Sequence, residues 1–179
     1  MAWITKPSAT TQIDRRDEPY LTEAMRTELT ERYLPRFETT HAALLPALHM
    51  IQHAYHWVPK QAMAEIAEFL KIPPAEVLDT ASFYEEYSLE PRGATVVAVC
   101  RSIACEACKY QEITKSMMDK LGVEVGETTE DGRFTLVELE CIGACGGAPA
   151  CLVGEKLIEF ATPENMSKAI DEAPEPGHH

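Results

Sequence analysis

Two short loops of this sequence each carry a pair of cysteines, and each loop directly follows a run of strand-forming residues. Cys100 and Cys105 form a C-x4-C pair in the first loop, and Cys141 and Cys145 form a C-x3-C pair in the second. If the two strands are neighbours, the four sulfurs can converge on one inorganic centre. Deprotonated cysteine is the ligand of both structural zinc and iron–sulfur clusters. The pattern therefore predicts a site of one of these kinds.

The spacing within the pairs favours a [2Fe-2S] cluster over zinc. Structural zinc usually takes C-x2-C pairs, which chelate through tight turns, whereas a C-x4-C loop is wide enough to wrap one iron of a two-iron rhomb. Gly143, Gly146 and Gly147 surround the last cysteine and allow the backbone to approach the inorganic sulfides. No histidine lies between His56 and His178, which excludes the two-histidine ligation of a Rieske centre.

Two further cysteines leave the ligand assignment open. Cys100, Cys105 and Cys108 read C-x4-C-x2-C, the spacing of plant-type ferredoxins, with a cysteine of the second loop as the fourth ligand. We favour two pairs because Cys108 opens a helix-like segment and because the second pair would otherwise lose its purpose. Cys108 and Cys151 are then interpreted as nearby non-ligands. Cys105 and Cys108 also form a C-x-x-C motif, so a thiol oxidoreductase is a competing hypothesis.

Four amphipathic segments precede the cysteine loops and predict a helical bundle over residues 20–88, after a flexible arm at 1–19. Thr22 caps the first helix, and Pro35 follows it as a stop. The second is expected over residues 40–57, with a kink at Pro46. Each segment has an apolar stripe at helical spacing. The predicted stripes are Met25, Leu29 and Tyr33; Leu44, Leu48, Ile51 and Tyr55; Ala62, Ile66 and Phe69; and Val77, Ala81 and Tyr84.

Residues 89–173 predict a second domain in which helices pack on a small mixed sheet. The complete chain is therefore assigned to the α+β class. Residues 174–179 are predicted to be a disordered tail whose final histidines are interpreted as the remnant of an expression tag. The predicted elements are strands at 95–99, 134–139, 151–153 and 157–160, a helix at 110–121, and a last helix capped by Thr162 with Pro163 at its first position.

Composition and charge limit the classes of partner. The chain has 179 residues, of which 45% are hydrophobic, enough for one or two small packed domains. Its formal net charge of −13 argues against nucleic acid and anionic lipid, and it suits a partner with a basic docking face. No apolar run approaches the ~20 residues that span a bilayer, and the N-terminus lacks the apolar region of a secretory signal. We therefore expect a cytoplasmic protein with no direct membrane insertion.

The sequence ECIGACGGAP, which follows a DGRFTL strand, together with the C-x4-C loop, resembles the thioredoxin-like [2Fe-2S] subunit of respiratory NADH:quinone oxidoreductase, complex I. Upstream, the segment IPPAEVLDTASFY is similar to the N-terminal helical bundle of that family, so the resemblance covers most of the chain. It implies a thioredoxin-like domain at residues 89–173. It also implies that Cys100, Cys105, Cys141 and Cys145 ligate a [2Fe-2S] cluster.

The same resemblance implies a partner, the FMN- and NADH-binding flavoprotein subunit of a complex peripheral to the inner membrane. The cluster would exchange an electron with the flavin of that partner. FMN and NADH are expected on the partner, because the chain has no G-x-G-x-x-G motif after a strand, and the isolated chain is not expected to be catalytic. Similar subunits of NAD-dependent hydrogenases and formate dehydrogenases stay alternatives, as does a free-standing thioredoxin-like [2Fe-2S] ferredoxin.

Two positions depart from the pattern of the family. Ile103 stands where a hydroxyl residue such as threonine is expected, and Gly146-Gly147 replaces a bulkier pair after the last ligand. The four ligand cysteines are intact. We therefore expect both changes to act on hydrogen bonds to the cluster and on its reduction potential.

Overall fold

The computed structural model describes residues 15–173, which form two compact units, the first ending at Pro91 and the second beginning at Arg92. The first unit is helical, and the second combines helices with a four-stranded sheet. The predicted α+β class is confirmed. Most of the predicted N-terminal arm (residues 1–14) and the predicted tail (174–179) lie outside the described residues. Within residues 15–173, no helix combines the length and the apolarity needed to cross a bilayer.

Four α-helices make up most of the first unit, and short π-helical and 3-10 turns connect the first two. The π-helical turn is Leu29–Tyr33, and the 3-10 turns are Leu34–Arg36 and Thr40–Ala43. The helices are α1 (Glu23–Glu28), α2 (Leu44–Tyr55), α3 (Lys60–Leu70) and α4 (Pro74–Phe83).

Local chemistry explains where these helices begin and end. The Thr22 hydroxyl accepts a hydrogen bond from the Met25 N–H at 3.3 Å, as the predicted N-cap requires. The second helix is shorter than the predicted 40–57. It follows a 3-10 turn and ends before His56, whose φ of 64° is left-handed. Pro46 lies in the first turn of α2, where a missing N–H leaves no helical bond unmade.

The predicted apolar stripes supply the core of the first unit, with one exception. Leu48, Ile51 and Ile66 are fully buried, and Val77 packs in the same core. Tyr84 was predicted to continue the stripe of α4, but it is 45% exposed. That prediction is wrong because α4 ends at Phe83 and Tyr84 adopts an extended conformation (φ −92°, ψ 124°), so helical spacing does not reach it.

Replacing Leu48 by alanine is expected to lower the free energy of unfolding by about 2–5 kcal/mol, because it removes a fully buried side chain and leaves a cavity. Leu45, on the same helix, is 38% exposed and provides the matched control. Its replacement by alanine should cost clearly less. Urea denaturation followed by far-UV circular dichroism measures both values, and an equal loss in the two variants would contradict the assignment of the core.

The second unit is built on a mixed sheet with the strand order β2-β1-β3-β4. β1 pairs with β2 in parallel, whereas β3 is antiparallel to both β1 and β4. The predicted last strand at 157–160 is displaced, because the turn at Gly154 and Glu155 pairs Val153 with Lys156. The strands are β1 (Thr95–Cys100), β2 (Phe134–Leu139), β3 (Cys151–Val153) and β4 (Lys156–Ile158).

Three helices accompany the sheet: α5 (Ile103–Ala107), α6 (Tyr110–Leu121) and α7 (Pro163–Asp171). The short α5 was not predicted. The segment from β1 to β2 runs through α5 and α6, which gives the connection that parallel neighbours need. Thr162 and Asn165 form a reciprocal capping box at the start of α7, in agreement with the predicted cap. Both cysteine loops therefore leave the sheet at its carboxyl edge, from adjacent strands.

Candidate metal centre

The parallel pairing of β1 and β2 brings the two cysteine loops side by side. Cys100, the last residue of β1, lies opposite Leu139, the last residue of β2. One residue further, the Arg101 N–H donates to the Leu139 carbonyl at 2.9 Å. The Arg101 guanidinium also pairs with the carboxylate of Glu140, which immediately precedes Cys141. The start of each loop is thus tied to the start of the other.

Cys100 and Cys105 form a buried pair within the first loop. Both are almost completely inaccessible to solvent, and they pack with Ala150 in a small apolar cluster of their own. Their side chains are hydrogen-bonded to each other. The short helix α5 produces this contact, because it carries Cys105 back towards the end of β1.

Backbone N–H groups converge on the sulfurs from both loops. The N–H groups of Ser102 and Ile142 donate to the sulfur of Cys100, and Ile142 belongs to the second loop. The Gly143 N–H donates to the Sγ of Cys141 at 3.4 Å. In addition, the Ser102 hydroxyl oxygen lies 3.4 Å from the Sγ of Cys100. Donors of this kind stabilise negative charge on sulfur, as a metal-bound thiolate requires.

The two buried thiols respond differently to this environment. Burial opposes ionisation of Cys100, but hydrogen bonds from Ser102, from the Ile142 N–H and from Cys105 outweigh it and lower the pKa of Cys100. Burial dominates at Cys105 and raises the pKa of that thiol, although the Ala150 N–H opposes the change. One thiolate and one neighbouring thiol are therefore the favoured state of the pair without a metal.

Cys141 and Cys145 are exposed, in contrast to the first pair. The loop that holds them turns at Gly143, whose φ of 77° is a conformation that other residues rarely adopt. Cys145 begins a 3-10 turn that ends at the buried Gly147. A Cβ added at Gly147 would lie 2.6 Å from the Cβ of Glu159, so a bulkier residue there must displace the Glu159 side chain.

The arrangement suits a centre that takes its ligands in pairs. No group of three or more His, Cys, Asp or Glu side chains that could hold one metal ion occurs within residues 15–173. A [2Fe-2S] cluster needs only two sulfurs at each iron, whereas tetrahedral zinc needs four donors around a single point. Paired cysteines with N–H donors on Cys100 and Cys141 therefore fit a two-iron cluster.

The remaining two cysteines differ in burial and position. Cys151, in β3 opposite Val99, is fully buried, and burial raises the pKa of its thiol to about 12. It is therefore a protonated thiol at neutral pH. Cys108 is exposed. It was predicted to open a helix but instead ends α5, and Lys109 with its left-handed φ of 60° separates it from α6.

The C-x-x-C motif has little of the geometry of a thiol oxidoreductase. Such enzymes need a reactive thiolate with a lowered pKa at the start of a helix. Here Cys105 is buried inside a five-residue helix with a raised pKa, and Cys108 is exposed at the opposite end of that helix.

Sequence reasoning missed the residues that join the loops. Arg101 and Glu140 are 39 positions apart, and only the parallel register of β1 and β2 brings them together. At Ile103, where the resemblance led us to expect a hydroxyl, the side chain is 88% exposed. The adjacent Ser102 supplies a hydroxyl to Cys100 instead.

Comparison with known proteins identifies relatives over most of the chain. Residues 30–174 match the family model described as thioredoxin-like [2Fe-2S] ferredoxin. The chain is 33% identical to a subunit of the NADH-quinone oxidoreductase of Escherichia coli, over 86% of this chain and 93% of that protein. The protein of the same name from Pseudomonas aeruginosa is 32% identical over 87% of this chain and 93% of its own length.

A solved structure shares the fold at lower sequence identity. A chain of an NAD+-reducing [NiFe]-hydrogenase in its air-oxidized state superposes with a TM-score of 0.63 and 22% identity. The match covers 73% of the present chain but 22% of the hydrogenase chain, so this protein spans about a fifth of that length. The likeness supports the fold of the described units.

Proposed function

Because the chain belongs to the thioredoxin-like [2Fe-2S] ferredoxin family, we propose that it is an electron-transfer subunit of an NADH:quinone oxidoreductase. Cys100, Cys105, Cys141 and Cys145 are the proposed ligands of its cluster. The observation that carries the assignment is the hydrogen bond from the Ile142 N–H to the sulfur of Cys100, which joins the two cysteine loops. A site made of two cysteine pairs on touching loops supports two-iron ligation.

A [2Fe-2S] cluster supplies one-electron redox chemistry when it is bound. The residues of the chain then adjust how readily an electron is accepted. The N–H groups of Ser102, Ile142 and Gly143 stabilise the negative charge that grows on the ligand sulfurs on reduction. Arg101 directly follows Cys100, but Glu140 neutralises much of the effect of its guanidinium. All-cysteine ligation and a net charge of −13 both disfavour an added electron, so a low reduction potential is expected.

The proposed partner is a flavoprotein that binds FMN and NADH. Oxidation of NADH would take place on that flavoprotein, and this chain would exchange single electrons with its flavin. The exposure of Cys141 and Cys145 supports the exchange, because it leaves one side of the site near the protein surface where a redox partner can approach. The complex would lie at the periphery of the membrane.

The quinone-linked complex is favoured over a hydrogenase or a formate dehydrogenase. The relatives from NADH-quinone oxidoreductases are matched over 93% of their length at 32–33% identity. The hydrogenase chain shares the fold at 22% identity.

Spectroscopy of the purified chain tests the cofactor directly. We expect the full chain, purified without oxygen, to show the visible absorbance of a [2Fe-2S] cluster and to contain equal iron and inorganic sulfide. Reduction by dithionite should produce the EPR signal of a reduced, all-cysteine [2Fe-2S] centre. A colourless protein that contains zinc would contradict the proposal and restore the zinc alternative.

A further inference from the structure

Helix α4 leaves most of its apolar surface uncovered. Of its ten residues, only Val77 and Ala81 are buried. Phe83, the last residue of the helix, is 78% exposed, and Leu78 is also exposed. An exposed phenylalanine beside further exposed apolar side chains is unusual on a soluble surface and marks interaction sites. This surface lies entirely within the first unit.

The exposed rings are held in place from below. The rings of Phe83 and Tyr84 meet edge to face, with 5.1 Å between their centroids, and Tyr84 meets Tyr87 in the same way at 6.3 Å. Tyr87 is buried, and its hydroxyl donates to the Leu45 carbonyl at 3.4 Å. The ring of Tyr87 also lies 5.2 Å from that of His49. Phe83 and Tyr84 therefore form a pre-ordered pair, here called the aromatic ridge, that loses little freedom on binding.

Carboxylates surround the aromatic ridge. Residues 72–91 contain five acidic side chains and no lysine or arginine. Two of them, Glu85 and Glu86, directly follow Tyr84. Exposed rings bordered by carboxylates are complementary to apolar pockets bordered by lysine or arginine, through ion pairs and cation–π contacts.

The charge also selects among possible occupants. A second copy of this chain would bring another acidic ridge and another net charge of −13, and like charges across an interface are unfavourable. A partner with a basic surface has the opposite property. The occupant is therefore a different protein.

We propose that the aromatic ridge, with Glu85 and Glu86, docks this chain onto a basic, apolar-pocketed surface of the flavoprotein partner. The inference rests on the proposed function for the identity of that partner. The ridge fixes the chain to the partner, whereas electrons are exchanged at the cysteine site of the second unit.

The test measures binding of the full, cluster-loaded chain to the purified FMN-containing subunit by isothermal titration calorimetry at several salt concentrations. The double variant F83S/Y84S should weaken binding by more than about tenfold, because exposed aromatic anchors carry a large share of binding energy. The charge reversal E85K/E86K should also weaken binding and should flatten its salt dependence. All variants should keep the visible spectrum of the wild type.

Two variants serve as matched controls. E31K/E68K makes the same change of charge at exposed positions elsewhere in the first unit. Leu157→Ser removes a comparably exposed apolar side chain (46%) from the second unit. Both should bind within about twofold of the wild type, since surface changes away from an interface have small effects.

Each result has a defined meaning. Wild-type affinity in F83S/Y84S overturns the docking surface and leaves the proposed function intact. A wild-type chain with no affinity for the flavoprotein overturns the proposed function and, with it, this occupant. Sedimentation that shows a dimer of the chain, dissociated by F83S/Y84S, would assign the ridge to a second copy and also overturn the proposal.

Discussion

Serine at Cys100, Cys105, Cys141 or Cys145 is expected to abolish or severely damage the [2Fe-2S] cluster, whereas serine at Cys108 or Cys151 should leave iron content and visible absorbance unchanged. The reason is that an iron without one of its two thiolates is exposed to hydrolysis and loss. The assignment to two pairs rests on the contact of Cys100 with Cys105 and on the Ile142 N–H that reaches Cys100.

The burial of the cysteines provides matched controls for this experiment. Cys105 and Cys151 are both buried, so serine at either position costs similar packing, and only the first should cost iron. Cys141 and Cys108 are both exposed, so serine at either position has little effect on packing. Iron and sulfide analysis with EPR measures the outcome. Loss of the cluster in Cys108→Ser, together with its retention in Cys141→Ser, would reverse the assignment in favour of the plant-type spacing.

The isolated chain is expected to show no NADH oxidation with any artificial electron acceptor, and addition of the FMN-containing subunit should make NADH a reductant of the cluster. The chain has no G-x-G-x-x-G motif after a strand, so hydride transfer requires the partner. EPR of samples mixed with NADH, with and without the flavoprotein, measures the difference. Reduction is expected to be partial, because the acidic surroundings and all-cysteine ligation keep the potential low.

The Cys105→Ser chain is the control for that reconstitution. Mixed with the flavoprotein and NADH, it should give no [2Fe-2S] signal, although the flavin should still be reduced. Turnover of NADH by the isolated wild-type chain would contradict the subunit hypothesis and would require a nucleotide site on this chain.

Much of the local structure could be read from the sequence. Thr22 and Thr162 cap helices where predicted, and the strand at residues 134–139 has the predicted bounds. Each of these signals depends on side chains within a few positions of one another, so the local sequence contains the necessary information. The errors arose where a neighbouring contact decided the outcome. The register of β4 depends on its turn, and Tyr84 leaves the stripe of α4 because the helix ends one residue earlier.

The site divides in the same way. The sequence alone determined the types of the four candidate ligands, their spacing and their position directly after strands, since these are properties of the chain order. Only the tertiary structure decided that one pair is buried and the other exposed, and that Arg101 meets Glu140. It also placed the Ile142 N–H against Cys100. The physical reason is that these contacts join segments about 40 residues apart, through the parallel pairing of β1 with β2, and no local pattern specifies such pairing.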